Sequence, residues 1–380
     1  MRWPASDRYP VVLLLIVTAL QPAEAKAQRL TDTDLEQLAL ELSEPPGRFD
    51  TDNLISNEAS YLQVLPQLKE IAEPGQAYLG VGPDQNFTYL VHVRPALAMI
   101  VDLRRDNLLE HLYLKELIEV SGNRWQYLSY LFGRPLPTGF RPDPVADASV
   151  LVNHLRSFPS DDDFFEKSFL KIWSSIRHRF PRLTWDQDRV TFYQIALAFF
   201  EKNFQLKYRS HGRRPRPYYP SYEQLMTETY QPGQMGHYLN SESDFRFLKK
   251  MQTENRIIPI VGDLAGPKAL KSIGKYLKKQ GYVVSTFYVS NVEFYLFRKG
   301  QFPDFVASVT ELPTNQNSVF IRSYFNYWRE HPETVAGYYV TSLLQQIQSF
   351  LELHQERPYE DYWDVVTRDY IPTQPPDHRP

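Results

Sequence analysis

The chain has 380 residues, 42% apolar and 14% aromatic, enough to bury a sizeable interior. It contains no cysteine, which excludes disulfides, thiolate catalysis, cysteine-ligated zinc and lipid attachment through an N-terminal cysteine. With 42 basic residues against 45 acidic ones the formal net charge is −3, so no overall pull on nucleic acid is expected.

At the amino end, Arg2 and Arg8 precede the apolar run 11–20, and Ala23-Glu24-Ala25 and Ala25-Lys26-Ala27 follow it. That is the arrangement of a secretory signal peptide. The run is about half the ~20 residues a spanning helix needs. Residues 1–27 are therefore read as a removable leader, and the mature chain as exported, periplasmic or secreted, with no transmembrane segment after cleavage. Amphipathic helices are expected over 32–42, behind cap candidates Thr31, Asp32 and Thr33, and over 57–71, ended by Pro74-Gly75.

From Ala77 the rhythm changes. A short apolar strand runs into Gly80-Val81-Gly82-Pro83-Asp84, a helix over 86–93 is stopped by Pro95, and a buried strand over 96–101 ends at Asp102. A helix over 107–120 follows, with Leu108, Leu109, Leu112, Leu117 and Val120 largely on one face. Pro135, Pro137, Gly139 and Pro142 then break the alternation. Beyond them lie long helical patterns at 164–179 and 186–204 and no convincing strand. Residues 137–250 are read as a helical insertion in a discontinuous α/β domain made of 28–136 and 251–370.

The alternation returns with a strand at 257–261, leading to Gly262-Asp263. A helix over 267–280 follows, stopped by Gly281. A strand over 282–289 delivers Ser290-Asn291-Val292-Glu293 to its end, with a helix to 297 after it. Another strand is expected at 318–322 and a helix over most of 335–353. The tail 371–380, with four prolines, is expected to be disordered.

Apolar strands alternating with amphipathic helices predict a Rossmann-like α/β fold, with a mainly parallel sheet covered on both faces. Ligands of such sheets bind beyond the carboxyl ends of the strands. Four segments should converge there: 80–85, Asp102, Gly262-Asp263 and 290–293. Asp102 follows Gly82 at about the 20-residue spacing at which an acid meets ribose hydroxyls. The third glycine of a dinucleotide fingerprint would fall on Gln85, which disfavours a nicotinamide or flavin cofactor. A tight turn without a ligand, with Asp102 capping the next helix, is the alternative reading.

The strings YLGVGPDQNFTYL, IVDLRRDN, VGDLAGPKAL and YVSNVEFYLF resemble a Leptospira-type family of bacterial exported proteins, whose fold is similar to class I S-adenosylmethionine-dependent methyltransferases. The resemblance implies S-adenosylmethionine as cofactor. It also implies Gly80 and Gly82 as the glycine turn, with Asp84 beside it, and Asp102 as the ribose acceptor. Asn291 would complete the rim, and Asp263 or Glu293 would face a methyl acceptor as catalytic candidates. The chain departs from the methyltransferase pattern at Tyr78, which stands where an acid usually lies two residues before the first glycine. Export also removes the protein from the cytoplasm, where S-adenosylmethionine is made. A non-catalytic envelope protein with a vestigial pocket is therefore the second expectation.

The other motifs are weaker. The nine histidines are scattered, with neither His-x-His nor His-Glu-x-x-His, so no metal is expected. Ser168 with Lys171 and Ser272 with Lys275 have the Ser-x-x-Lys spacing but lack the Lys-Thr-Gly partner, and both fall in amphipathic helices. The basic, aromatic stretch 207–220 reads as a solvated loop or as a contact for an anionic envelope partner. Asp161-Asp162-Asp163 is explained by helix capping.

Overall fold

The structure, a computed structural model, describes residues 29–231 and 233–373. The leader (1–27) and tail residues 374–380 lie outside the described residues.

Six strands form the main sheet: β1 (Ala77–Gly80), β2 (Leu97–Asp102), β5 (Ile257–Val261), β6 (Val284–Ser290), β7 (Val319–Phe325) and β8 (Val340–Gln346); β3 (Thr229–Gln231) and β4 (Gln234–Met235) make a separate small ribbon. The main sheet runs β5-β2-β1-β6-β7-β8, and every pair is parallel except β7 with β8. The fold is thus α/β with a mostly parallel sheet, the Rossmann-like arrangement. β1, β2 and β5 read as near-continuous apolar runs because helices cover both faces of the sheet. Pro259, which has no N–H to donate, is tolerated in β5 because that strand lies at an edge.

Both edges are covered. Beside β5 lies the helix Asp32–Leu42, started by a capping box between Thr31 and Asp34. Ser43 Oγ then accepts from Val261 N–H at 3.0 Å, and Glu44 N–H donates to Val261 O at 2.8 Å. Beside β8, Ile371 N–H donates to Leu344 O at 2.7 Å, so the first residues of the expected disordered tail are held in place.

The connection from β2 to β5 spans residues 103–256 and carries most of the helices outside the sheet layers. Its first helix, Arg105–Val120, is almost wholly buried, because it lies between the sheet and the helices Asp162–Arg179, Asp188–Lys202 and Glu242–Thr253. Arg179 ties these layers together by pairing with Asp32 at 2.8 Å and with Glu116 and Glu119 at 2.6 Å.

Several expectations are corrected. Only Leu65–Ile71 of the 57–71 stretch is helical. Before it, Ser56 Oγ takes the Glu58 N–H at 3.1 Å and the Glu58 carboxylate turns inward, so polar side chains compete with the helix ladder. The 335–353 stretch divides into β8 and the helix Ile347–Glu356, because Val340 to Gln346 pairs residue by residue with β7. The ribbon of β3 and β4 and the helices Phe302–Thr310 and Tyr362–Thr367 went unread. No helix among the described residues is long and apolar enough to cross a membrane.

Candidate functional site

The order of the sheet reverses between β1 and β6, the place where an α/β sheet opens a crevice beyond its strand ends. The turn after β1 is rigidly held. Fully buried Asn86 donates to Val81 O at 2.8 Å and Pro83 O at 2.7 Å, and its Oδ1 accepts from Tyr78 OH at 2.9 Å. Tyr78 therefore locks the turn from within the core. Gly82 takes φ +75°, a conformation that glycine adopts without strain. Its carbonyl accepts from His111 Nε2 at 2.9 Å, and burial holds that imidazole near a pKa of about 4, so it is neutral.

A cleft of about 940 Å³, counting its open mouth, lies at this crevice. Residues from four strand ends line it: Gly82 after β1, Asp102 at the end of β2, Asp263 after β5 and Asn291 after β6. Val101, Leu103, Leu264, Val292 and Leu296 supply apolar wall, and Phe49 meets Tyr295 edge to face at 4.9 Å. Tyr208, from the basic stretch, also lines the cleft.

Charges at the cleft are arranged specifically. Asp102 Oδ1 accepts from Arg104 N–H at 2.8 Å and from its Nε at 3.2 Å, and Oδ2 accepts from Nη2 at 3.1 Å. Asp263 Oδ1 accepts from Ala265 N–H at 2.9 Å. Glu58, only 1% exposed, accepts from Gln85 Nε2 and Tyr288 OH at 2.8 Å each and from Ser290 Oγ. Ser290 is itself held at φ +53°.

Three expected residues sit elsewhere. Gly80 is enclosed in the sheet; a Cβ there would overlap Asn86 Oδ1 and lie 2.8 Å from Tyr78 Cε1, so packing explains its lack of a side chain. Asp84 faces away from the cleft and accepts from Tyr222 OH and, at 3.0 Å, Tyr238 OH, both from the long connection. Burial pushes its carboxyl up to about 6, against those two hydrogen bonds. Glu293, expected to face an acceptor, is fully buried and grips Arg322 at 2.5 Å and 3.1 Å. It fixes β7 to the helix Val292–Lys299 and does not line the cleft.

The rim helices have acids at or just before their first turns. Glu44 takes the N–H groups of Lys268 at 2.7 Å and Ala269 at 2.6 Å, at the start of the helix Ala269–Gln280. Asp84 precedes the helix Gln85–Val93, and Glu293 lies in the first turn of Val292–Lys299. Among the described residues no group of three or more His, Cys, Asp or Glu could hold a metal ion.

Residues 54–132 and 182–374 match the family model described as Domain of unknown function (DUF7790). The chain belongs to the DUF7790 family. The segments matched by DUF7790 carry Glu58, Gly82, Asp102, Tyr208, Asp263, Ser290 and Asn291. Residues 133–181, between those segments, hold the helices Ala148–Ser157 and Asp162–Arg179 and contribute nothing to the cleft lining. No curated protein matches the chain.

Glu58, Glu44 and Arg104 were not read as site residues from sequence. Arg104 lies inside the string IVDLRRDN, two residues after Asp102. Glu58 and Glu44 carry no local pattern, since each acts on strand ends far along the chain.

Proposed function

We propose that the chain, exported after loss of its leader, binds a small nucleoside-bearing ligand in this cleft, with S-adenosylmethionine as the leading candidate. The observation that supports this most is the gathering of Gly82, Asp102, Asp263 and Asn291 around one cleft at the reversal of strand order. The donor set fits that cofactor: Asp102 and Asp263 offer carboxylate oxygens to hydroxyl and amino groups, the apolar wall and Phe49–Tyr295 pair suit a base, and nothing about the rim requires a phosphate. Bound there, S-adenosylmethionine would supply an electrophilic methyl group. Of the two carboxylates considered for the acceptor side, Asp263 alone lines the cleft.

Calorimetry of the mature protein with S-adenosylmethionine and S-adenosylhomocysteine tests the reading. Binding of either, weakened at least about tenfold by Asp102→Ala through loss of a charge-assisted contact, is the expected result. Neither heat nor a thermal shift with both ligands removes it.

A second reading rests on a specific observation, the triple engagement of Asp102 by Arg104. In it the fold is a non-catalytic envelope protein with a vestigial pocket, meeting a partner through 207–220. There Arg216 lies 5.3 Å from the Tyr327 ring and Tyr218 stacks on Tyr339 at 4.6 Å. Unchanged phenotype in Asp102→Ala favours this second reading.

A further inference from the structure

We infer that the cleft selects a small organic cation carrying no phosphate, and that Glu58 receives its positive charge. The inference deepens the nucleoside-binding reading and rests on it.

Glu58 comes from the turns ahead of the helix Leu65–Ile71 and reaches the C-terminal end of β6, where it lines the cleft beside Tyr288 and Ser290. All the groups that donate to its carboxylate are neutral: an amide, a phenol and an alcohol. Among the described residues no lysine, arginine or histidine pairs with it. A carboxylate buried with neutral donors alone keeps an uncompensated charge, which is costly in a low-dielectric setting. A ligand ammonium or sulfonium in the cleft would compensate it without disturbing the donors already in place.

The rest of the cleft points the same way. Three lining carboxylates, Glu58, Asp102 and Asp263, stand against two cations, Arg104 and Lys299. Arg104 is committed to Asp102, and its Nη1 donates to Asp52 O at 2.7 Å. Lys299 is exposed. A phosphate would normally seek a helix N-terminus. Here Glu44 already takes the free N–H groups of the helix Ala269–Gln280. An anion is therefore denied the N–H groups at the start of that helix, and meets a carboxylate there instead.

Three probes that share one base and sugar separate the possibilities: adenosine, 5′-amino-5′-deoxyadenosine with its ammonium, and adenosine 5′-monophosphate, each titrated calorimetrically into the full protein near pH 7. The ammonium probe is expected to bind at least about tenfold tighter than adenosine, and the monophosphate at least about tenfold weaker. In Glu58→Gln, which keeps the shape and hydrogen-bonding reach of the side chain, the advantage of the ammonium probe over adenosine should fall to within about twofold.

Equal binding of adenosine and the ammonium probe to the wild-type protein overturns the cation inference and leaves nucleoside binding standing. So does tighter binding of the monophosphate, or an ammonium advantage that survives in Glu58→Gln. Binding of none of the three overturns both. If Glu58→Gln melts early and fails to fold, the wild-type ratio alone decides.

Discussion

Asp84 lends itself to a quantitative test, because its carboxyl is enclosed and shifted by a known cause. Burial raises it from 3.8 to about 6, and the hydroxyls of Tyr222 and Tyr238 oppose the rise only in part. A carboxyl whose folded pKa lies above its unfolded value binds more protons folded than unfolded between the two. Stability then falls as pH rises through that window. At 1.36 kcal/mol per pH unit, the span from 3.8 to about 6 corresponds to about 3 kcal/mol in all, of which about 2 kcal/mol is lost between pH 4 and pH 7 because the unfolded carboxyl is already partly ionised at pH 4. Asp84→Asn removes the titration but adds a buried amide, whose cost does not depend on pH. The quantity to measure is therefore the stability of the variant minus that of the wild type, from urea unfolding at 25 °C and several pH values. That difference should rise by about 2 kcal/mol from pH 4 to pH 7, whatever its absolute offset. Glu110 is pushed well up by burial and next by the Asp84 charge, so in Asp84→Asn its carboxyl is raised less, which adds to the rise of the difference with pH rather than cancelling. A difference that stays flat across this range refutes the account of Asp84 as a buried, destabilising charge at neutral pH.

Gly80→Ala should destabilise by about 1–3 kcal/mol, since its methyl would overlap Asn86 Oδ1 and press on Tyr78; a shift in urea midpoint measures this, and an unchanged midpoint contradicts the packing explanation. Glu293→Gln leaves the Arg322 guanidinium without its buried counter-charge and should cost about 3–5 kcal/mol. At a temperature where the variant is folded, its ligand affinity should match the wild type; a selective loss of binding would return Glu293 to the cleft. Glu44→Ala should expose the N–H groups of Lys268 and Ala269 and lessen the discrimination against adenosine 5′-monophosphate, read as a narrower gap between its affinity and that of adenosine.

The sheet was legible because its strands are buried on both faces, and such strands announce themselves as short apolar runs: 77–80, 97–102 and 257–261 need no tertiary knowledge to be found. The strand ends followed directly, which is why Gly82, Asp102, Asp263 and Asn291 could be grouped before their positions were known. β8 was harder. Leu343 and Leu344 suit a helix as well as a strand, and only pairing with β7 decides between them. Glu58 was out of reach for a different reason. Leu62, Leu65 and Leu68 recur at helical spacing and draw the eye along 57–71, while the partners that define Glu58, Tyr288 and Ser290, lie at the far end of the domain. Glu293 shows the opposite error: its place after a strand end was read correctly, but its direction depends on Arg322, which periodicity does not reveal.

The separation of β2 from β5 bears on how the molecule assembles. These strands lie side by side, yet residues 103–256 intervene, so their union requires closing a very long loop late in synthesis. Until then the nascent β1–β2 pair exposes an apolar edge on one flank awaiting β5 and on the other awaiting β6. Newly made chains should therefore fold slowly and depend on being shielded from one another, and a chaperone that holds them apart should raise the yield of native protein more than any change to the finished surface.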